Sequence, residues 1–168
     1  MTGWVALLRA VNVGGNNKIP MADLAAMATR LGLSGGRTYI ASGNLIFASE
    51  SEESELRVMI EQAIAAQWGK PIGVLMRSAA ELAVVAARNP WPDRPGNRVV
   101  ALFTDAEPSL EGMKHLAGEV LALGRREIYV DYGEGMASSR LVIPAAKMGT
   151  TRNLNTVTKL AELAGAVS

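Results

Sequence analysis

The stretch Leu7-Leu8-Arg9-Ala10-Val11-Asn12-Val13-Gly14-Gly15-Asn16-Asn17-Lys18-Ile19-Pro20-Met21 passes from an apolar run through a polar loop into a helix start. Residues 4–10 are almost continuously apolar, as in a central strand covered on at least one face, and they carry one arginine, Arg9. Pro20 suits the first turn of a helix, whose N–H groups have no intrahelical partner, and Asp23 suits the positive end of the dipole. Met21, Leu24, Ala25, Ala28 and Leu31 then repeat at helical spacing. Gly32-Leu33 predicts a left-handed stop followed by an apolar contact.

Working outward, residues 37–41 and 45–48 read as short strands joined by Ser42-Gly43-Asn44, a tight-hairpin signal. Ser49 and Glu52 suggest a capping box for a second helix, with Ser51 as a rival cap. Its apolar face is Leu56, Met59, Ile60, Ala63, Ile64 and Trp68; Gly69-Lys70-Pro71 ends it, and residues 72–76 read as a fourth strand. The order βαββαβ is the ferredoxin-like pattern. It predicts an antiparallel sheet in residues 1–77, in order 4-1-3-2, with both helices on one face.

Residues 78–168 read as a second, smaller α+β subdomain, αβαββ plus C-terminal helices, so the fold class is α+β. Ser78 and Glu81 suggest a capping box, and residues 89–97 are the most linker-like. A strand is expected at 99–103. Pro108-Ser109 would open a helix that turns Leu110, Met113, Leu116, Ala117 and Val120 inward. Residues 128–132 and 136–138 suggest a hairpin across Gly133-Glu134-Gly135. Residues 139–149 mix strand and helix signals, and a last helix runs from about Asn153 to Ala164. The element order echoes the first half, without a residue-level repeat.

Composition narrows the function. The 168 residues are 49% hydrophobic and 20% charged, ordinary for a globular protein. A formal net charge of +1 supplies no global field toward nucleic acid or an acidic membrane. The lack of cysteine removes thiol nucleophiles, disulfides and thiolate metal sites, and fits a reducing compartment. One histidine, His115, cannot build a His-rich metal site, and it lies off the apolar stripe of its expected helix. The longest helical apolar run, residues 82–87, is far short of the roughly 20 residues of a membrane span. With no leader pattern at its start, the chain reads as cytoplasmic.

Three polar stretches remain. In a ferredoxin-like sheet, residues 12–18, the turn Ser42-Gly43-Asn44 and the helix end Trp68-Gly69-Lys70 fall on one rim. On the last helix, Arg152, Asn155, Thr156 and Lys159 stand at i, i+3, i+4 and i+7 and would form one stripe from its anion-favouring N-terminus. The candidate ligand-binding residues are therefore Arg9, Asn12, Gly14, Gly15, Asn16, Lys18, Ser42, Asn44, Arg152, Asn153, Asn155 and Lys159. They are expected to gather around a phosphate or carboxylate between the two halves. Each also has a plainer reading. The Gly/Asn run serves as a turn tolerating positive φ, Asn44 caps its hairpin, Arg9 is half-buried and paired, and Arg152 with Lys159 faces solvent.

The segments Leu-Leu-Arg-x-Val-Asn-Val-Gly-Gly-Asn-Asn-Lys-Ile-Pro-Met, Thr-Tyr-Ile-x-Ser-Gly-Asn and Thr-x-Arg-Asn-x-Asn-Thr-Val-x-Lys-Leu resemble the signature stretches of a bacterial family, domain of unknown function 1697. The resemblance spans essentially the whole chain. It implies a small cytoplasmic α+β protein with a ferredoxin-like first half, and it brings no activity, cofactor or catalytic residue. Ser139-Arg140-Leu141 departs from the family's Ser-Lys-Leu, and Leu154 stands where an aromatic residue is common.

The leading functional expectation is a binding module for a phosphate-bearing or other anionic small ligand. The alternative is an RNA or single-stranded nucleic-acid binder using Trp4, Tyr39 and Phe47, although no RNP-type consensus accompanies them. An enzyme acting on a phosphorylated small molecule is a further alternative, with no general base to name. No P-loop, dinucleotide fingerprint or metal-ligand set is present, and no cofactor is assigned.

Overall fold

The first strand, β1 (Thr2–Leu8), is central because it is apolar on both faces: Val5, Ala6, Leu7 and Leu8 are fully buried. Around it the chain runs α1 (Met21–Arg30), β2 (Ser34–Thr38), β3 (Asn44–Ser49), α2 (Glu53–Trp68) and β4 (Val74–Ser78). The sheet order is β2-β3-β1-β4, and each neighbouring pair is antiparallel. This is the ferredoxin-like arrangement that the pattern predicts. The computed structural model describes residues 1–168 apart from residues 14 and 16, so Gly14 and Asn16 lie outside the described residues.

One sheet face, carrying Ala6, Leu8, Leu45, Phe47, Val74 and Met76, packs under both helices through Leu24, Met27 and Ala28 of α1 and Leu56, Ile60 and Ile64 of α2. The stop at Gly32 forms as read. Gly32 takes φ 76°, its N–H donates to Thr29 O, and Leu33 N–H reaches back to Ala28 O. The capping box expected at Ser49 does not form. Glu52 is the N-cap of α2 and makes no side-chain cap bond, while Ser49 Oγ accepts the N–H of Ser51. Ser78 does cap: its Oγ accepts the N–H of Glu81 at the start of α3 (Ala79–Ala87).

The remaining elements are β5 (Val99–Phe103), β6 (Val120–Leu123), β7 (Glu127–Asp131), β8 (Thr150–Asn153) and α4 (Leu154–Val167), with 3-10 turns at Met136–Ser138 and Pro144–Lys147. The chain divides into two compact units, Met1–Ala83 with Leu160–Ser168, and Val84–Lys159. In the first, the end of α4 lies against β1. A Cβ on Gly3 would sit 2.0 Å from the carbonyl oxygen of Ala164, and Gly3 N–H donates to Ser168 Oγ.

The second unit departs from expectation. Its sheet order is β6-β7-β5-β8, fully antiparallel, which repeats the order of the first sheet strand for strand. The expected helix after Pro108 is absent. Gly112 and His115 take positive φ, and the carboxylate of Glu119 binds the N–H groups of Ala117 and Gly118. Val120, expected on that helix, opens β6 instead. The hairpin is β6–β7, not one across Gly133-Glu134-Gly135, and residues 150–153 form an edge strand. Leu110 and Leu121 still reach a core, packing with Leu102, Ile128, Val130 and Ile143.

Candidate functional site

The rim expected at the end of β1 is formed by backbone. Leu8 N–H donates to Gly43 O, and Arg9 N–H donates to Gly73 O, both at 2.9 Å. The strand end is thus tied both to the β2–β3 turn and to the approach to β4. Gly43 is required there, because at φ 90° a Cβ would fall 2.5 Å from Val11 Cγ2 and 2.9 Å from Leu8 Cβ.

Asn12 staples the two loops. Its Nδ2 donates to Ile19 O at 3.1 Å and to Ala41 O at 2.8 Å, while its Oδ1 accepts Ile19 N–H at 2.8 Å. Asn17 Nδ2 donates to Ala10 O, and Asn12 N–H to Asn17 O. Asn44, fully buried, donates from Nδ2 to Tyr39 O and to Ser42 Oγ. Through these bonds the amides of Asn12 and Asn44 fix loop shape, and Asn44 caps its hairpin. Arg9 is half-buried over Gly73, where a Cβ would lie 3.0 Å from Arg9 Nη1, and Lys18 and Gly15 are exposed.

That shape is strained. Ala10, Asn12, Asn17 and Ile40 have φ between 49° and 55°, and His115 is the sole other non-glycine residue at positive φ among the described residues. A β-branched residue such as Ile40 is rare in this region. The cost is on the order of 1–2 kcal/mol for Ala10 and for Ile40, and smaller for Asn12 and Asn17, because asparagine adopts this region more readily.

The residues expected on the last helix do not share a stripe. Arg152 precedes the helix, on β8 opposite Ala101, because pairing with β5 extends the chain there. It is 6% exposed, and its Nη1 donates to Thr150 Oγ1 at 2.9 Å and to Thr151 O at 2.8 Å. Burial pushes its guanidinium down to about 10, so it stays charged at neutral pH. Asn153 caps α4 by accepting Thr156 N–H, and Gly96 O accepts Leu154 N–H. Asn155 Oδ1 occupies the space a Cβ on Gly96 would need, at 2.2 Å. Thr156 is buried, and Lys159 is exposed. Two of the N–H groups that the helix start was expected to offer an anion are thus bonded within the chain.

Buried polar residues escaped the sequence reading. Arg77 is fully buried on β4, and Glu127, Tyr129 and Asp131 line one face of β7. Tyr129 OH donates to Val85 O at 2.7 Å; burial first, then the charge of Glu127, raises its pKa far above the ordinary tyrosine range. Arg77 had the same signal as Arg9, a cation inside an apolar run. Trp4 and Phe47, the aromatics considered for base stacking, belong to the core under α1 and α2.

A family described as protein of unknown function, DUF1697, matches residues 1–129. The chain is similar to the solved structure of conserved bacterial protein SP0830 from Streptococcus pneumoniae, with 26% identity and a TM-score of 0.79 over 97% of this chain and 98% of that one. No curated protein matches. Among the described residues, no helix is long and apolar enough to cross a membrane, and no group of three acidic, histidine or cysteine side chains could hold a metal ion.

Proposed function

We propose, from the premise that the chain belongs to the DUF1697 family of proteins of unknown function, that the rim of the first unit binds a small anionic ligand, phosphate-bearing or carboxylate. The observation that carries this reading is the gathering of left-handed, non-glycine backbone at Ala10, Asn12, Asn17 and Ile40, beside Arg9 and Lys18. Strain of this kind persists where surrounding structure enforces it, and it is concentrated at ligand sites. Here the staple from Asn12 enforces it. Arg9 and Lys18 supply the cationic donors, suited to phosphate or carboxylate oxygens. Arg152, Asn153 and Asn155, engaged at the start of α4, are not needed for this reading. The buried positions of Trp4 and Phe47 give no support to a stacking platform for nucleic acid.

Titration with inorganic phosphate and with citrate, followed by thermal unfolding, tests the proposal. A saturable rise in melting temperature is expected, with affinity reduced about tenfold in Lys18→Ala, the loss of one charge-assisted hydrogen bond. No saturable rise, or an unchanged rise in both Lys18→Ala and Arg9→Ala, would overturn it.

A second expectation concerns the strain itself. Ile40 is 48% exposed, so Ile40→Gly loses little packing while relieving the left-handed backbone. Stability should rise by about 0.5–1 kcal/mol, or about 1–4 °C in melting temperature, while phosphate binding weakens. A drop in melting temperature would show that Ile40 is held by packing, not strained.

A further inference from the structure

The second unit holds a cleft of about 550 Å3, within the size range of small-molecule sites. Three chain segments meet around it: residues 115–119, the turn 132–135 and residues 138–140. Glu119 is fixed in its wall. Oε1 accepts the N–H groups of Ala117 at 2.8 Å and Gly118 at 3.1 Å, and Oε2 accepts Ser139 Oγ–H at 2.7 Å. These bonds, the one from Ser139 first, hold the carboxyl down to about 2, so it is anionic throughout the physiological range.

These donors are neutral, as is the N–H of Glu119 itself, which also bonds the carboxylate, and among the described residues no cation lies within 4 Å of Glu119. Hydrogen bonds from neutral groups orient the charge of Glu119 but do not neutralise it. The same cleft is lined by Arg140, His115 and Tyr132. Among the described residues, none of these three side chains makes a hydrogen bond or ion pair. Arg140 follows Ser139 directly, so the guanidinium starts beside the residue that grips Glu119. The phenol of Tyr132 is raised by burial and then by Glu119, and therefore remains a donor.

We infer that this cleft binds a small zwitterion, its ammonium on Glu119 and its carboxylate on Arg140. A ligand carrying one charge would leave either the fixed carboxylate or the guanidinium unanswered. His115, Tyr132 and Glu134 also line the cleft and add two further polar side chains and a second anion to it.

The test is a titration of the 15N-labelled full chain, read at the amides of Ala117 and Gly118, which bond to Glu119. The probes are ω-amino acids of increasing length from glycine to 6-aminohexanoate, with butylamine and butyrate as single-charge controls. Saturable shifts are expected at a preferred chain length, with affinity about tenfold above either control. Arg140→Ala should lower zwitterion affinity about tenfold and leave butylamine binding unchanged, while Glu119→Gln should abolish the butylamine response. Arg140 is exposed, so its variant keeps the fold and the test interpretable if Glu119→Gln disturbs the loop. Shifts that never saturate, butylamine binding as tightly as every zwitterion, or no effect of Arg140→Ala would overturn the inference.

Discussion

Arg77→Ala is expected to cost about 3–5 kcal/mol of stability, whereas Arg77→Met is expected to cost less than about 1 kcal/mol or to stabilise. Arg77 is fully buried on β4, opposite Val5, on the sheet face away from α1 and α2. Its Nη1 donates to Met76 O at 2.9 Å, and its Nε lies 3.6 Å from Glu81 Oε2. Alanine would empty the volume of one of the largest buried side chains and strip Glu81 of its cation. Methionine refills most of that volume without a charge to desolvate, and Glu81, whose side chain is 25% exposed, can turn to water. Denaturant midpoints at unchanged m-value decide between the two effects. A methionine variant as unstable as the alanine variant would show that the hydrogen bonding of the guanidinium, not its bulk, stabilises the sheet.

Asn12→Ala is expected to cost about 2–4 kcal/mol, from three hydrogen bonds worth about 1 kcal/mol each plus the penalty of alanine at φ 55°. Asn12→Asp should be no better, because it turns an oxygen toward the carbonyls of Ile19 and Ala41. Asn12→Gly relieves the backbone and keeps none of the bonds, so it should fall between the wild type and Asn12→Ala. Equilibrium unfolding of the three variants checks the order. Alanine and glycine variants of equal stability would mean that the backbone of the loop is not strained at this residue.

The first unit was legible in the sequence because its signals are local. Helical spacing placed α1 and α2, Gly32 and Gly69 stopped them in the left-handed region, and Gly43 marked a turn that a Cβ would obstruct. With the strand count settled, the ferredoxin-like order left one arrangement, which put residues 12–18 and 42–44 at one rim. The family membership was equally readable from the two motifs within residues 1–129, while the third, at residues 150–160, lies beyond the matched residues. The Ser49 cap failed because serine competes for nearby N–H groups in more than one turn geometry.

The second unit was not legible where its structure depends on partners distant in sequence. Leu110, Met113, Leu116, Ala117 and Val120 carry a helical period, yet the pairing of Val120–Leu123 with β7 draws the end of that stretch into a sheet. Strand preference reflects cross-strand neighbours more than the residue itself. Arg152 shows the same dependence. By sequence it begins a donor-rich helix face; its place on β8 follows from the pairing of Ala101 with it, which turns its side chain into the buried face. The sequence by itself determined the apolar periods, the helix stops and the polar composition of the loops. Tertiary pairing alone decided which polar groups are consumed by the fold and which line a cleft, because a donor's availability depends on acceptors that can lie anywhere in the chain.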